Sequence, residues 1–304
     1  MNHLDAFCYG EIGVDNIIQA DQLPTPEIAV FPRSESYHIG GAAANTGVWL
    51  SHLGISVGLS GNVIGCDTYG EWLWSWLKKH PGLDLSLVEK WEDVPTPFTR
   101  AIVTPDGERS FLIFYYPQTP KIPFQSSMLK GAKYLALDLY GGPERLTAAR
   151  DAIQAGVQTA IGDVIWANHP VLPYTSIATN SASYIRNVFP GIDVRMHAQE
   201  LHSISKGIIV TTDGGDDIYV LDKQGTAFSV TPPKVIPVDA TGAGDAFRAG
   251  LLYGLLKGLD LPRSVCLGAA AGALKVGFIG AATALPRLEE VEALAQTLVV
   301  KSLL

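Results

Sequence analysis

One stretch of the sequence, VDATGAGDAFRAG from Val238 to Gly250, combines glycines with two carboxylates. Glycine-rich turns that precede helices bind phosphates, because their backbone N–H groups and the helix dipole attract anions. Asp245 follows the glycines directly, where a phosphate-binding loop often has a lysine. An acid repels phosphate, so its presence needs a chemical reason. A carboxylate at this position can take the proton of an attacking alcohol during phosphoryl transfer.

Three interpretations compete for this turn. A dinucleotide-binding fingerprint needs a third glycine where Phe247 stands, and no βαβ unit remains after it. A Walker A loop needs the pattern G-x-x-x-x-G-K-[ST], which the sequence does not contain. The third interpretation is an anion hole made by the N–H groups of Gly242, Ala243 and Gly244, with Asp245 as the general base beside it. Capping of the following helix by Asp245 is an alternative role for this side chain.

The elements that must carry this turn follow from the hydrophobic pattern. Strand-like and helix-like runs alternate from Ala6 onward, which predicts a mostly parallel sheet with helices on both faces. Two segments, about 12–39 and 95–117, interrupt the alternation, and the second has two β-rich runs around the turn Pro105-Asp106-Gly107. We predict a single α/β domain over residues 1–304 in which these two segments form a small antiparallel β lid.

Composition excludes several classes of protein. The 304 residues are 47% hydrophobic and 17% charged with a net charge of −8, which argues against nucleic-acid and membrane partners. Cys8, Cys66 and Cys266 are widely spaced, so neither a disulfide framework nor a zinc site is indicated. The apolar run Val265–Leu285 is broken by Lys275 and is rich in glycine and alanine, which favours a buried helix over a membrane span. The N-terminus lacks a signal-peptide pattern, and we expect a cytoplasmic protein.

Two motifs together match a known family. DATGAGDAF resembles the D-T-x-G-A-G-D signature of the ribokinase-like (PfkB) carbohydrate kinases, and Gly40-Gly41-Ala42-Ala43-Ala44-Asn45 resembles the second signature of that family. The motifs occur in the same order and far apart, and the resemblance extends over nearly the whole chain. It implies a ribokinase-like fold and ATP-dependent phosphorylation of a primary hydroxyl group on a sugar or nucleoside. The sequence does not decide which small molecule is the substrate.

The resemblance also implies a role for each matching position. The implied catalytic residues are Asp245 as the base and Gly242, Ala243 and Gly244 as the anion hole. The implied substrate-binding residues are Asp15, Gly40, Gly41 and Asn45. The implied nucleotide-binding residues are Asn180, Thr212, Gly214, Ala270 and Gly280. Asp239 and Thr241 match residues that hold a monovalent cation in several relatives. ATP and Mg²⁺ are therefore the expected cofactors, and a need for K⁺ stays open.

One departure from the family pattern concerns the metal. Relatives carry N-x-x-E before the nucleotide loop, whereas this sequence has Asn180 followed by Ser183 at the position of the glutamate. A serine lacks the charge that favours a hydrated Mg²⁺, so another acid such as Asp163 has to substitute, or metal handling is weaker. The alternative function is a ligand-binding relative that keeps the fold without the chemistry. A nicotinamide oxidoreductase is a third class, for which we expect no NAD binding.

The predicted lid has a further implication. An antiparallel sheet with an open edge can pair with a second copy of the same chain, because open edges are usually covered or paired. A homodimer formed through the lid is therefore a further expectation.

Overall fold

The structure is a computed structural model that describes residues 3–105 and 109–303. Within these ranges the strands are β1 Ala6–Gly10, β2 Gly13–Gln19, β3 Ser34–Gly40, β4 Val57–Gly61, β5 Ile64–Gly65, β6 Leu83–Asp84, β7 Lys90–Trp91, β8 Phe98–Val103, β9 Arg109–Phe114, β10 Tyr134–Leu137, β11 Gln158–Gly162, β12 Ile177–Ser181, β13 Ile208–Asp213, β14 Asp216–Leu221, β15 Ala227–Thr231 and β16 Val299–Leu303. The helices in the same ranges are α1 Ala42–His52, α2 Thr68–Leu77, α3 Pro143–Gln154, α4 Ala182–Val188, α5 Val194–Ser205, α6 Ala243–Leu256, α7 Leu261–Lys275 and α8 Leu288–Gln296.

A ten-stranded sheet in the order β16-β15-β14-β13-β12-β11-β10-β1-β4-β6 forms the centre of the molecule. From β6 to β13 in this order the strands pair in parallel, and from β13 to β16 they pair antiparallel. Successive residues of β1 point to opposite faces: Ala6 and Cys8 join one buried cluster, Phe7 and Tyr9 the other. Helices α1, α6 and α7 contribute to the first cluster, and α3 and α5 to the second. The predicted architecture is confirmed.

The strand order identifies the edge of the sheet where a ligand is expected. Strand β1 has β4 on one side and β10 on the other, so the chain reverses its direction of travel across the sheet at β1. In open parallel sheets, ligands bind outside the carboxyl ends of the strands at such a reversal. Glu11, Asp138 and Asp163 follow the carboxyl ends of β1, β10 and β11.

The smaller sheet has the order β3-β2-β8-β9 and occupies the two segments that the sequence predicts for the lid. Its outer pairs, β2 with β3 and β8 with β9, are antiparallel, whereas the central pair of β2 and β8 is parallel. The tip of the predicted hairpin, residues 106–108, lies outside the described residues. The division of the chain into one domain with a lid stays a prediction.

A two-residue junction, Glu11 and Ile12, connects β1 of the large sheet to β2 of the lid. The side chain of Asn62 forms hydrogen bonds with both backbone polar groups of Ile12. The N–H group of Ile12 donates to Oδ1 of Asn62 at 2.7 Å, and Nδ2 of Asn62 donates to the carbonyl oxygen of Ile12 at 2.8 Å. The start of the lid is therefore anchored to the large sheet.

No helix within the described ranges is long and apolar enough to cross a bilayer.

Candidate active site

The glycine turn lies at the start of α6, as its sequence predicts. Gly242 precedes the helix with a φ of 73°, and a Cβ atom there would overlap the side chain of Ala281. Both observations require glycine at this position. No side chain caps the helix. The carboxylate of Asp245 instead accepts hydrogen bonds from Nδ2 of Asn45 at 3.1 Å and from Nη1 of Arg248 at 3.4 Å. Helix capping is therefore not the role of Asp245.

The N–H groups of the turn are the candidate anion hole. Among the residues that the structure describes, no acceptor is bonded to the N–H group of Gly242 or Gly244. The N–H group of Ala243 donates to the carbonyl oxygen of Ala240 at 3.2 Å, so it is already in use. Gly244 is exposed, and nothing lies within 4 Å of the place where its Cβ atom would be. Two of the three predicted donors thus remain available to an anion at the helix N-terminus.

Burial controls the protonation of Asp245. Burial raises the pKa of this carboxyl group to about 6, and the nearby carboxylates of Asp163 and Asp138 act in the same direction. Arg248 and the hydrogen bond from Asn45 oppose the shift. At neutral pH the group is still mostly ionised and its pKa lies close to the pH. A general base needs this combination.

The predicted substrate-binding residues lie together beside Asp245. Asn45 in α1 contacts Asp245 through its Nδ2 atom, and its buried Oδ1 atom has no partner in the described part of the chain. Gly41 has a φ of 88° and packs against the carbonyl group of Glu11. A side chain at Gly40 would overlap the carboxylate of Asp15. The glycines therefore allow the backbone to approach the acidic side chains closely.

Asp15, on β2 of the lid sheet, carries a second unusual carboxyl group. It is only 6% exposed, and burial raises its pKa to about 8. The carboxylates of Asp245 and Asp239 raise the pKa further. At neutral pH Asp15 is therefore mostly protonated, so it can donate one hydrogen bond and accept others. This suits a residue that binds sugar hydroxyl groups.

Arg248 is a site residue that the sequence analysis did not identify. Its buried guanidinium contacts Oγ1 of Thr179 at 3.1 Å and Oγ1 of Thr46 at 3.4 Å, in addition to Asp245. A Cβ atom at Gly162 would overlap this guanidinium, so the glycine at the end of β11 makes room for it. An arginine in a helix whose other residues, apart from Asp245, are mostly apolar is the sequence signal that could have indicated a buried partner.

The ends of β11 and β12 bring Asp163 and Asn180 to the same edge of the sheet. Asp163 accepts a hydrogen bond from the hydroxyl group of Tyr140 at 2.5 Å, and its φ of 58° is unusual for a residue other than glycine. Nδ2 of Asn180 donates to the carbonyl oxygen of Val164 at 3.0 Å. Its Oδ1 atom is buried and has no partner among the described residues. Ser183, in the first turn of α4, contacts only Ser181 through its hydroxyl group, at 2.8 Å.

The other predicted nucleotide-binding residues lie in different elements of the structure. Thr212 is the penultimate residue of β13, where its Oγ1 atom donates to the carbonyl oxygen of Asn180 at 3.2 Å. Gly214 forms the turn after β13 with a φ of 57° and open space around it. Ala270 is fully buried within α7. Gly280 donates its N–H group to Oδ2 of Asp239 at 2.9 Å. Gly280 thus contacts the loop that leads into the glycine turn, whereas Thr212 contacts the end of β12.

The predicted cation position contains a buried ion pair. Asp239 is fully buried, and its Oδ1 atom accepts the N–H group of Thr241 at 2.8 Å. Nζ of Lys275 donates to the carbonyl oxygen of Asp239 at 2.6 Å and to that of Phe278 at 3.1 Å. Burial lowers the pKa of Lys275 to about 8, and the Asp239 carboxylate opposes this shift, so the ammonium stays mostly charged at neutral pH. Within the described ranges, no group of three or more His, Cys, Asp or Glu side chains is arranged to hold a metal ion.

A second buried ion cluster lies beneath the predicted substrate-binding residues. Arg145 is 2% exposed and contacts Oδ1 of Asp138 at 3.1 Å and Oε1 of Glu11 at 3.4 Å. Burial and the neighbouring Asp138 raise the pKa of Glu11 to about 7, and Lys121 and Arg145 oppose this shift. Because the backbone of Glu11 packs against Gly41, the cluster supports the loop that precedes α1.

A protein-family model matches most of the chain. The model of the family described as pfkB family carbohydrate kinase matches residues 4–288. A chloroplastic protein of Arabidopsis thaliana described as probable fructokinase-6 is 28% identical, and the alignment covers 96% of this chain and 83% of that protein. A nucleoside kinase of Methanocaldococcus jannaschii is 26% identical, with 93% of this chain and 94% of that protein covered.

A solved structure agrees with the observed fold. The structure of Arabidopsis thaliana ribokinase complexed with ribose and ATP superposes with a TM-score of 0.81 at 19% identity. The superposition covers 97% of this chain and 99% of that one. The ribokinase-like fold class predicted from the sequence is confirmed.

Proposed function

Because the chain belongs to the pfkB family of carbohydrate kinases, we propose that it transfers the γ-phosphoryl group of ATP to a primary hydroxyl group of a sugar or nucleoside. The observation that carries this proposal is the position of the Asp245 carboxylate. It lies at the N-terminus of α6, beside the available N–H group of Gly244 and in contact with Asn45 of α1. A base, anion-binding donors and a hydroxyl-binding side chain thus meet at one point.

The proposed reaction uses Asp245 as the proton acceptor. As the acceptor oxygen forms its bond to the γ-phosphorus, its proton passes to the Asp245 carboxylate and the bond from phosphorus to the β-bridging oxygen breaks, releasing ADP. The N–H groups of Gly242 and Gly244, at the positive end of α6, stabilise the charge on the transferring group. Arg248 keeps Asp245 ionised at neutral pH, because it opposes the effect of burial on its pKa.

Substrate hydroxyl groups are held by Asp15 and Asn45 in this proposal. Asn45 has a buried Oδ1 atom without a described partner, which can accept a hydrogen bond from a hydroxyl group. Asp15 is mostly protonated at neutral pH, so it adds little negative charge near the phosphoryl group while it still donates and accepts hydrogen bonds. Gly40 and Gly41 let the backbone pack closely against Asp15 and Glu11, which positions the residues before α1.

The nucleotide is proposed to bind along the ends of β11 to β13, at Asn180, Thr212 and Gly214. When bound, Mg²⁺ supplies positive charge that neutralises the β- and γ-phosphate oxygens. The residues present fit this ion: Asp163 provides a carboxylate, and the unpartnered Oδ1 atom of Asn180 provides a neutral oxygen. We propose that Asp163, oriented by the hydroxyl group of Tyr140, replaces the acid that Ser183 lacks.

The test is a panel of acceptors with ATP and Mg²⁺. D-fructose, D-ribose, adenosine and inosine represent the sugar and nucleoside classes, and ADP formation is measured for each. We expect ATP-dependent phosphorylation of at least one class, with phosphorus NMR placing the phosphate on a primary hydroxyl oxygen. Ser183→Glu should retain the activity. Nucleotide binding without turnover on a panel widened to other sugars would instead favour a ligand-binding relative, a role to which Ser183 points.

A homodimer through the lid is also proposed. Strand β9 is the outer strand of the smaller sheet, and its side chains Phe111, Leu112 and Ile113 are exposed. An apolar outer strand with a free edge is unfavourable in water unless another surface covers it. Sedimentation equilibrium should give twice the mass of one chain, and Ile113→Lys should shift the equilibrium to monomers. A monomer at all concentrations would contradict this part of the proposal.

A further inference from the structure

The ammonium group of Lys275 lies at the cation position that the sequence predicts beside the glycine turn. Its Nζ atom contacts the carbonyl oxygens of Asp239 and Phe278 at 2.6 Å and 3.1 Å, and it is 3.8 Å from Oδ2 of Asp239. Both charged side chains are completely buried. Carbonyl oxygens are the groups that replace the hydration shell of K⁺ in proteins. In this chain the ammonium group of Lys275 already contacts two such carbonyl oxygens.

A free monovalent cation fits poorly next to this ammonium. Two positive charges a few ångströms apart repel strongly in a site closed to water. The carboxylate oxygens of Asp239 also accept the N–H groups of Thr241 and Gly280, at 2.8 Å and 2.9 Å. Each oxygen of Asp239 is thus already in contact with a donor of the protein. The buried Oγ1 atom of Thr241 has no partner among the described residues, but one free oxygen cannot replace the hydration shell of K⁺.

We infer that Lys275 replaces the monovalent cation that the family resemblance implies at Asp239 and Thr241, so that the protein needs no K⁺. A lysine ammonium is a compact charge with three donors, and here it is covalently tethered to the end of α7. The cation is therefore part of the chain and cannot be lost to solvent.

The ammonium holds two loops together next to the anion hole. Asp239 belongs to the loop that leads into the glycine turn, and Phe278 belongs to the loop that follows α7. Gly242 of the first loop packs against Ala281 of the second. Fixing one loop against the other therefore fixes the N–H groups of Gly242 and Gly244. Lys275 is in this sense a positioning residue, since it reaches the substrate only through the turn.

The first experiment measures stability and does not depend on the proposed function. The melting temperature of the unliganded protein is compared in KCl and in tetramethylammonium chloride at equal ionic strength. We expect the wild type to show no saturable rise with KCl. Lys275→Ala should melt roughly 5–10 °C lower, since it leaves Asp239 buried without its partner, and KCl should restore part of the loss in a saturable manner.

The control is Lys257→Ala, which removes an exposed lysine at the end of α6 and should change the melting temperature little in either salt. A saturable rise of the wild type with KCl would overturn the inference, because the site would then still take an ion. Lys275→Ala that folds but gains nothing from K⁺ or NH₄⁺ would overturn it as well. If Lys275→Ala fails to fold, the wild-type comparison decides alone.

The second experiment concerns phosphoryl transfer and rests on the proposed function. With an acceptor that the protein phosphorylates, the wild-type rate should be equal in the two salts. Lys275→Ala should lose ~10- to 100-fold in kcat through displacement of the turn, with a smaller change in KM for the acceptor, and K⁺ should restore part of kcat. A wild type that phosphorylates none of the panel contradicts the proposed function, while the melting comparison still decides the role of Lys275.

Discussion

The glycine turn and the ends of β11 to β13 lie side by side, with Arg248 between them, but they are built differently. On the side of the turn, Asp245 has two partners in the chain and Gly242 is wedged against Ala281. On the side of the strand ends, the Oδ1 atom of Asn180 has no described partner, and Gly214 faces open space. At the turn the carboxylate is fixed by its partners and the N–H groups of Gly242 and Gly244 stay open, whereas the strand ends offer an unpartnered amide oxygen and an open turn.

In our proposal, this difference gives the two sides of the site different tasks: the turn supports catalysis and the strand ends bind the nucleotide and its metal ion. Donors and charges that are fixed before the reaction need no reorganisation when charge develops, which lowers the barrier. An open, sparsely bonded edge is completed only when its ligand arrives. We therefore expect changes on the side of the turn to act on kcat, and changes at the strand ends to act on the affinity for ATP and Mg²⁺. The following predictions are ordered by the expected size of the effect.

The largest effect is expected from Asp245→Asn. This change keeps the shape of the side chain and removes the proton acceptor, so kcat should fall ~10²- to 10⁴-fold while KM for ATP changes little. Initial rates of ADP formation with an accepted substrate measure it. Asp93→Asn, on an exposed turn, is the matched control and should retain the wild-type rate. Full turnover by Asp245→Asn would show that another group takes the proton.

A smaller effect is expected from Asp163→Asn. If Asp163 supports the metal, its loss should reduce kcat/KM for ATP ~10- to 100-fold and raise the Mg²⁺ concentration at half-maximal rate. Titration of Mg²⁺ at fixed ATP measures both quantities. Tyr140→Phe should give a weaker change in the same direction, because it removes only the hydrogen bond to Asp163. An unchanged Mg²⁺ requirement in Asp163→Asn would assign the metal to other residues and weaken the contrast between the two sides.

The smallest effect is expected from Arg248→Gln, and it is visible in the pH profile. Asp245 must be ionised to act as base, so kcat/KM of the wild type should fall as the pH drops through about 6. Arg248 lowers the pKa of Asp245, so removing its charge should raise that pKa. The acidic limb of the plot of kcat/KM against pH should then move to higher pH. The rate at pH 7 should then drop a few-fold and recover at pH 8. A limb that keeps its position would show that Arg248 serves packing alone.

The sequence predicted the turn well because its requirements are local. A positive φ and a close neighbour demand glycine at Gly242, and a similar demand applies at Gly41. Alternating strand and helix patterns likewise predicted the parallel sheet, because each element signals its own buried face. The proximity of Asn45 to Asp245 was available only through the family resemblance, since no local pattern connects α1 to α6.

Lys275 and Arg248 could not be assigned from the sequence because each also has partners that lie far away along the chain. The ammonium of Lys275 meets Asp239, and the guanidinium of Arg248 meets Thr179 and Thr46, only after α6 and α7 pack on the sheet. What the sequence does show is a single charge within the apolar run Val265–Leu285. A lone charge in such a run indicates a buried partner, but it does not say which one.

The junction between the two sheets has a mechanical consequence. Asn62 holds both backbone groups of Ile12, so we expect Ile12 to lie near the pivot if the smaller sheet rotates against the large one. At about 3.3 Å per residue, Asp15 lies ~10 Å beyond Ile12 and Gln19 lies ~23 Å beyond it. A swing that carries the far end of β2 a given distance therefore moves Asp15 less than half as far. In our proposal the smaller sheet acts as a lever with Asp15 near the pivot, so its far end can lengthen, shorten or change sequence while Asp15 stays close to the acceptor.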